Sequence, residues 1–309
     1  MIPAAYFTHP FCRRHEMGEG HPEQPDRLRV IHNALSAQGL LDRMLQMEPL
    51  PAARDALLRA HDSHYLQALE QSQPEAGAYR ALDPDTVMNS ATWPAALLAA
   101  GAGLMAVDKV LDETVKRAFC NVRPPGHHAE RARAMGFCFM NNIAVAAAHA
   151  LEQHGLRKLA IIDFDVHHGN GTEAIFADDP RVLLCSTFQS PLFPYSGEHT
   201  VSEHIVNVPL PAGTGSAAYR SVFSVRVIPA LEQFKPELLL FSAGFDAHRD
   251  DPLASLELVE DDYYWLTRTV IETTRQSSEA RAISLLEGGY HLGALAASAC
   301  RHVEALLED

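Results

Sequence analysis

The feature that most constrains the fold is an alternation of short apolar runs with longer helical segments through the last two thirds of the chain. The runs are rich in β-branched residues and indicate buried strands at residues 118–122, 159–164, 182–186, 238–242 and 283–286. Helical spacing follows at residues 142–154, 217–233, 261–275 and 292–307. Strands that alternate with helices predict an α/β fold with a central, mostly parallel sheet flanked by helices.

The first 115 residues show a different pattern, which predicts mainly helices with long loops. One predicted helix covers residues 26–38 and ends at Gly39, and another, at 94–111, is opened by Pro94. The chain has no internal repeat and no Pro/Gly/Ser-rich linker, and 47% of its 309 residues are apolar. We therefore expect a single domain over residues 1–309.

The charge and the cysteines of the chain limit which partners and which cellular location we expect. The formal net charge is −14, so a nucleic acid would be repelled. A cationic substrate would be attracted, although a need for solubility explains the charge equally well. The five cysteines form no CxxC pair, and the N-terminal residues lack the order of a signal peptide. No run approaches the roughly 20 apolar residues of a membrane span. We expect a cytoplasmic protein without a membrane partner.

Polar clusters follow four of the five predicted strands. They read RPPGHHA, DVHHGNGT, AGFDAHRDDP and EGGYH in chain order. Open parallel sheets place their ligand sites beyond the carboxyl ends of the strands. Although the clusters are far apart in sequence, we therefore predict that they converge in one active site.

Asp165 and His167 form the clearest metal-ligand pair in these clusters. On an extended chain, residues i and i+2 point to the same side about 6.5 Å apart, so a carboxylate oxygen and an imidazole nitrogen can meet on one ion. Asp246 ends another strand and is the best third ligand. Such a set favours a catalytic Zn²⁺ ion, although a DxH pair alone is weak evidence because acidic residues often end strands.

Other residues of the clusters are candidates for proton transfer and substrate binding. His127 and His128 follow a rigid PPG segment and could supply a base and an acid, or could be a hydrogen-bonded loop pair. Tyr290 follows two glycines and could donate to an oxyanion, or could simply be packed. Phe137 and Phe193 lie in loops rich in glycine and proline, where they are either core residues or walls of a binding slot.

Five segments together resemble the signature series of the histone deacetylase family: RPPGHHA, GFCFMNN, DFDVHHGNGT, SAGFDAHRDDPL and LEGGYHL. The N-terminal HEMGEGHPEQPDR resembles the opening loop of the class II-like and bacterial branch, which includes histone deacetylase-like amidohydrolases and acetylpolyamine amidohydrolases. The resemblance runs in the family's order from about residue 15 to residue 290. Five motifs with matching internal spacing make it highly specific.

The resemblance implies the arginase/deacetylase fold and a role for each matching residue. Asp165, His167 and Asp246 would bind zinc, and His128 would act as general base and then acid beside its electrostatic partner His127. The remaining implied roles are these: Asp163 orients His127, Asn170 lies behind His128, Tyr290 clamps the acyl oxygen, Phe137, Phe193, Gly136 and Gly289 form the substrate tunnel, Leu253 lies at its rim, and Arg27 lies near an internal cavity.

The family also holds structural monovalent cations, usually potassium. The resemblance implies a first potassium site formed largely by backbone oxygens of Asp163, Asp165, His167, Ser186 and Thr187. It implies a second potassium site at Phe176, Asp179 and Val182.

The implied activity is zinc-dependent hydrolysis of an N-acyl amide, foremost an acetyl amide, on a lysine side chain or a similar primary amine. The first alternative is an acetylated polyamine as substrate, with the same mechanism. Polyamine-selective relatives place a carboxylate near the rim position that Leu253 occupies here, although the loops at 16–23 and 79–89 could supply an acid. Members of this kind form dimers or tetramers, and the resemblance leaves a homo-oligomer open.

Two remoter alternatives involve a different chemistry. DAHRD at residues 246–250 is similar to the metal-ligand motif of dimanganese, arginase-like ureohydrolases, but the chain has no second matching acidic motif at a strand end. A non-catalytic acyl-ligand binder would lack a zinc ligand, the base or the tyrosine, and all of these are present.

Overall fold

The computed structural model describes residues 2–308. Within that range the backbone forms ten strands: β1 Ile2–Phe7, β2 Met44–Met47, β3 Arg80–Ala81, β4 Val87–Met88, β5 Val115–Cys120, β6 Leu159–Asp163, β7 Val182–Gln189, β8 Ile205–Leu210, β9 Leu239–Ala243 and β10 Ala282–Leu286. The same residues form nine α-helices: α1 Asp26–Ala37, α2 Arg54–Leu57, α3 Ser63–Gln71, α4 Thr92–Leu111, α5 Asn142–Glu152, α6 Asn170–Phe176, α7 Ser216–Phe234, α8 Glu260–Ser278 and α9 Leu292–Leu307. Two short 3₁₀-helices cover Pro10–Arg14 and Leu41–Arg43.

Eight strands form one sheet in the order β2-β1-β5-β10-β9-β6-β7-β8, and every neighbouring pair in it is parallel. β3 and β4 form a separate antiparallel hairpin. All residues of β6, β7, β9 and β10 are buried, as expected for strands covered by helices on both faces. The predicted fold class, a central parallel sheet flanked by helices, is confirmed.

The helices pack in layers against this sheet. In one layer α1 packs on α9, α9 on α8, and α8 on α7, with α9 resting on β1 and β5. α4 and α5 pack on each other, and they rest on β5, β10 and β9. The buried apolar side chains fill the spaces between the sheet and these helices. The helices thereby leave the carboxyl ends of the strands to the connecting loops.

The five predicted strands and six predicted helices are all present, with ends that differ by at most three residues. The mainly helical prediction for the first 115 residues was wrong at β1 and β2, and β8 was also missed. β1 reads IPAAYF and has no β-branched run, and β2 has four residues at the sheet edge. β1 is stabilised by its pairing with β5, in a register that sets Ala4 against Arg117, and not by the β-propensity of its own residues.

Helix α4 corrects the expectation that no segment approaches a membrane span. By length and composition it is apolar enough to cross a membrane, and 61% of its most apolar window is buried inside the protein. It packs on α5, β5 and β10. Its hydropathy is therefore accounted for by its place in the core.

Candidate active site

The polar segments that follow β5, β6, β9 and β10 lie next to one another at the carboxyl edge of the sheet. Their parent strands are neighbours, in the order β5-β10-β9-β6. Adjacent strands are about 4.8 Å apart, so segments from distant parts of the sequence begin within a few strand spacings of each other. The structure thus brings together the four clusters whose convergence the sequence predicts.

Asp165, His167 and Asp246 form a buried group whose ligand atoms all lie within 4.8 Å of one another. The Nδ1 atom of His167 is 3.0 Å from Oδ1 of Asp165 and 3.2 Å from Oδ2 of Asp246. Gly244 and Gly288 make room for the two carboxylates, because a Cβ on either glycine would overlap one of them. Backbone amides fix their orientation: Val166 N donates to Asp246 Oδ1, and Gly288 N donates to Asp165 Oδ2.

The donor chemistry of this group fits a divalent cation. Two carboxylates and one imidazole nitrogen are the ligand types that Zn²⁺ takes in a three-residue catalytic site. Oδ2 of Asp246 is buried and receives no hydrogen bond from the described residues. Burial, together with the neighbouring charge of Asp165, raises the pKa of Asp246 to about 7. Two buried carboxylates this close repel each other, and a cation between them would relieve that repulsion.

His127 and His128 lie beside this group with ring centroids 4.0 Å apart and ring planes tilted by 42°, but they are held by different acceptors. Nδ1 of His127 is 3.0 Å from the Asp163 carboxylate, and Nδ1 of His128 is 2.8 Å from Oδ1 of Asn170. An amide oxygen only accepts, so Nδ1 of His128 carries the proton and its Nε2 is left with a lone pair.

The surroundings of the two histidines shift their pKa values in opposite directions. Burial alone would lower the pKa of His127, but the carboxylates of Asp163 and Asp165 outweigh it and raise this pKa well above its usual value. Burial and the adjacent charge of His127 lower the pKa of His128 well below its usual value. The arrangement favours a charged His127 next to a neutral His128.

Tyr290 lies on the loop after β10 and is fixed at its backbone. Its N–H donates to Oδ2 of Asp251 at 2.7 Å, and the guanidinium carbon of Arg27 lies 5.0 Å from the centre of its ring. Burial and the nearby Asp246 raise the pKa of Tyr290 well above its usual value, so its hydroxyl stays protonated and remains a donor.

The sequence model of the histone deacetylase domain matches residues 21–306. The chain belongs to the histone deacetylase family. It is 38% identical over 278 residues to a histone deacetylase-like amidohydrolase of Pseudomonas aeruginosa, with 88% of this chain and 73% of that protein covered. It is 36% identical over 303 residues to the polyamine deacetylase HDAC10 of Homo sapiens, with 93% of this chain and 45% of that protein covered.

Solved structures agree with this assignment. The crystal structure of the HDA15 HD domain matches with a TM-score of 0.92 at 34% identity, covering 98% of this chain and 89% of that one. The family resemblance predicted from the sequence is confirmed, and the chain is a hydrolase of the histone deacetylase family.

A cavity of about 460 Å³ leads to the active centre of this deacetylase-family chain. It is lined by Asp85, His128, Gly136, Phe137, His167, Leu192, Phe193, Tyr195, Leu253 and Tyr290. Four of the five predicted tunnel residues are in this wall. The fifth, Gly289, is not: its carbonyl accepts from Nε of Arg27, and Leu295 and Phe245 pack where a side chain would point, so it lies behind the wall.

Two features bring the cavity wall close to the active centre. Phe137 and Gly136 both have positive φ angles, 69° and 56°, which turn the loop sharply toward the histidine pair. A Cβ on Gly136 would overlap the ring of His128, so only glycine allows this approach. The ring of Phe193 meets that of His128 edge-on at 5.2 Å.

The residues of the first predicted potassium site lie together at the ends of β6 and β7. Asp163 pairs with Ser186 in the sheet register, and Oγ of Ser186 is buried without a hydrogen-bond partner among the described residues. Thr187 instead bonds the hydroxyl of Tyr219 at 2.9 Å through its side chain. The unsatisfied Oγ of Ser186 is compatible with a cation that is bound here mainly by backbone oxygens.

The residues of the second predicted potassium site form the turn between α6 and β7. Asp179 N donates to Phe176 O, and Val182 N donates to Asp179 O. Phe176 O also lies 3.2 Å from Nε2 of His204. A cation bound to this carbonyl would have to compete with those contacts.

Several acidic residues that support the site were missed by the sequence analysis. Glu287 accepts from the backbone N–H groups of Gly126 and His127, at 2.6 and 3.1 Å, and so ties the β10 loop to the histidine loop. Asp251 holds Tyr290, as described above. Both side chains bond backbone groups that are far away in sequence, which leaves no spacing signal. Their position inside the motifs EGGY and HRDDP is the one clue.

Arg27, predicted near an internal cavity, is fully buried in an ionic network. Its Nη1 lies 3.1 Å from Oε1 of Glu23, and Nε donates to Gly289 O at 2.7 Å. Arg123 also pairs with the Glu23 carboxylate, at 2.6 Å from Nη2 to Oε2. The charges of Arg123 and the contact with His15 outweigh burial and hold the pKa of Glu23 well below its usual value. The network fastens the loop that carries Tyr290.

Proposed function

We propose that the chain is a zinc-dependent deacylase that hydrolyses an N-acyl amide, foremost an acetyl amide, on a lysine side chain. One observation carries the proposal: the buried group of Asp165, His167 and Asp246, the neutral histidine His128 and the hydroxyl-bearing Tyr290 meet at the same cavity. Family membership supports the same reaction class. Among the described residues this centre holds one cluster of ligand atoms, which favours one metal ion over a dimetal site.

Asp165, His167 and Asp246 would hold the ion. When bound there, Zn²⁺ supplies Lewis acidity toward a carbonyl oxygen and lowers the pKa of a coordinated water toward about 7. Of the three, His167 lines the cavity itself, so an ion held by this group would lie at the cavity and within reach of water and substrate.

The histidine pair moves the proton in this mechanism. Nε2 of His128 carries the lone pair, because its Nδ1–H is donated to Asn170, and it takes the proton from the attacking water. The protonated imidazole then gives that proton to the departing amine. His127 stays charged against Asp163 and keeps the pKa of His128 low until His128 takes the proton of the attacking water.

Tyr290 donates its O–H to the acyl oxygen as negative charge develops there. Its backbone is fixed through Asp251 and its ring lies against Arg27, so the phenol is held before the substrate arrives. The rings of Phe137 and Phe193 line the slot and accept a thin alkyl chain, which is what an acyl-lysine side chain presents.

Monovalent cations at the two predicted sites, foremost potassium, complete the proposal as structural elements. The unpartnered Oγ of Ser186 supports the first site. A cytoplasmic location also remains a proposal, supported by five cysteines that are buried and unpaired.

An acetylated polyamine is the second candidate substrate, because Asp85 lines the cavity. A carboxylate near the tunnel would attract a cationic tail, and Leu253 supplies none. One relative, of which this chain spans 45% of the length, is named a polyamine deacetylase. The Asp85 position lies in the 79–89 loop that the sequence analysis left open as a source of acid.

A panel of substrates tests the proposal: acetyl-lysine peptide, trifluoroacetyl-lysine peptide, acetylputrescine and acetylspermidine, each assayed with and without a zinc chelator. We expect chelator-sensitive release from the peptides. Preference for the two polyamines, weakened by Asp85→Asn, would replace the lysine assignment with the polyamine one. Absence of release from all four would overturn the substrate class while leaving the fold in place.

A further inference from the structure

A second group of metal-ligand side chains lies away from the active site, between α4 and the end of α5. Oδ1 of Asp108 is 2.7 Å from Nε2 of His149 and 2.8 Å from Nε2 of His154. The two imidazole rings are 5.3 Å apart, and the ligand atoms of the three residues all lie within 4.8 Å of one another. α5 begins at Asn142, beside the active-site loops, and His149 lies about 10 Å further along this helix.

We propose that Asp108, His149 and His154 form a second divalent-cation site, of the class that takes Zn²⁺, Ni²⁺ or Cu²⁺. Two imidazole nitrogens and one carboxylate oxygen match the preference of these borderline metals and not that of Ca²⁺ or Mg²⁺. The side chain of Asp108 is 48% exposed and that of His154 is 29% exposed, so water can fill the remaining coordination positions.

The hydrogen bonds of the metal-free group set a condition for binding. Nη1 of Arg59 lies 3.2 Å from Nδ1 of His149. A guanidinium only donates, so the neutral His149 ring carries its proton on Nε2, which is the atom a metal would need. Binding therefore moves the ring proton from Nε2 to Nδ1, and Arg59 turns away because Nδ1 no longer accepts. Arg59 lines an open groove of about 760 Å³ that also contains Asp178 and Asp179, where the guanidinium has room and carboxylates to face.

Metal binding here would act as a clamp between two helices. Asp108 belongs to α4 and His149 to α5, whereas His154 lies just beyond the last residue of α5, Glu152. An ion bound to all three would fix the C-terminal end of α5 to α4. Since the ion binds the folded chain alone, it should raise the melting temperature as its concentration rises.

Zinc stoichiometry on the full chain tests the site, by dialysis against buffered Zn²⁺ and elemental analysis. His154→Gln should bind one ion per chain fewer than the wild type and lose the zinc-dependent rise in melting temperature. His199→Gln, a matched change at an exposed histidine, should bind as many ions as the wild type. Asp165→Asn distinguishes this site from the active centre. This variant should still bind the ion that depends on His154, whether or not it binds an ion at the active centre.

Arg59→Gln provides the opposite change. Removal of the charge and of the competing donor should tighten binding at this site, by on the order of fivefold from the lost repulsion alone. The rise in melting temperature should then begin at lower zinc. Equal stoichiometry in wild type and His154→Gln over the whole zinc range, or unchanged affinity in Arg59→Gln, would overturn the proposal in favour of a hydrogen-bonded surface cluster.

Discussion

The Nδ1 atom of His128 lies 2.8 Å from the side-chain oxygen of Asn170, whereas the equivalent atom of its neighbour His127 faces a carboxylate. Because the acceptors differ, the two adjacent imidazoles differ in protonation. Asn170 leaves His128 neutral with a free Nε2, and it is itself held through its amide by Glu130 at 2.9 Å. An amide at position 170, in place of a carboxylate, therefore lets burial and the charge of His127 keep the pKa of His128 low.

Asn170→Asp should move the acid limb of the pH–rate profile. A carboxylate beside Nδ1 favours the charged imidazole, so the pKa of His128 should rise by about one unit. Because the base must be neutral, the variant should lose activity at the acid end of the profile and regain it as the pH rises, with its acid limb at higher pH than that of the wild type. The measurement is kcat/KM against pH for the wild type, this variant and Asn33→Asp, which makes the same charge change at an exposed position. An acid limb that coincides in all three would refute the role of Asn170.

Tyr290→Phe should lower kcat by about 100-fold or more with little change in KM. The substitution removes the phenolic hydroxyl, a hydrogen-bond donor that acts mainly as negative charge develops on the acyl oxygen. The matched control is Tyr195→Phe at the cavity mouth, where the side chain is 80% exposed, and it should stay within a few-fold of the wild type. Steady-state kinetics of both variants, with melting temperatures to verify folding, distinguish the outcomes. Full activity in Tyr290→Phe would remove this residue from the mechanism.

Glu23→Gln should destabilise the protein by about 3–5 kcal/mol, because two buried guanidinium groups would lose their shared carboxylate. Arg27 and Arg123 both contact Glu23, and all three side chains are fully buried. Denaturant unfolding measures the change. Glu70→Gln breaks the half-exposed pair with Arg54, for which we expect less than about 1 kcal/mol. Similar small losses in both variants would contradict the importance of the buried network.

His302 should make folding sensitive to acid. Burial lowers its pKa to about 3, and its ring bonds Thr267 at 2.6 Å and Ser284 at 2.8 Å. The folded state keeps the ring neutral while the unfolded chain takes up a proton below about pH 6.5, so its contribution to stability is full above that pH and is lost as pH falls toward the folded pKa. Between pH 7 and pH 5 the loss is about 2 kcal/mol.

His302→Gln should remove that part of the pH dependence. The difference in unfolding free energy between wild type and variant should shrink by about 2 kcal/mol from pH 7 to pH 5. His199→Gln, at an exposed position, should show a pH dependence parallel to that of the wild type. Parallel curves for His302→Gln as well would show that the ring takes up its proton in the folded state.

The sequence predicts the middle of the sheet well because β6, β9 and β10 are buried on both faces and their apolar runs are continuous. It fails at β1, whose residues adopt a strand through pairing with β5. Likewise, the clusters after the strands predict Asp165 and Asp246 at one site. Glu23 and Asp251 escape prediction, because Arg123 and Tyr290 are brought to them by folding from 100 and 39 residues away in the sequence.

Metal dependence tests the central claim most directly. Metal-free protein, prepared with a chelator, is assayed for hydrolysis of an acetyl-lysine peptide before and after titration with Zn²⁺, beside Asp246→Asn treated in the same way. We predict no turnover without metal, recovery that saturates with one zinc ion at the active centre, and no recovery in the variant. Full turnover by metal-free protein, or wild-type recovery in Asp246→Asn, would contradict the assignment.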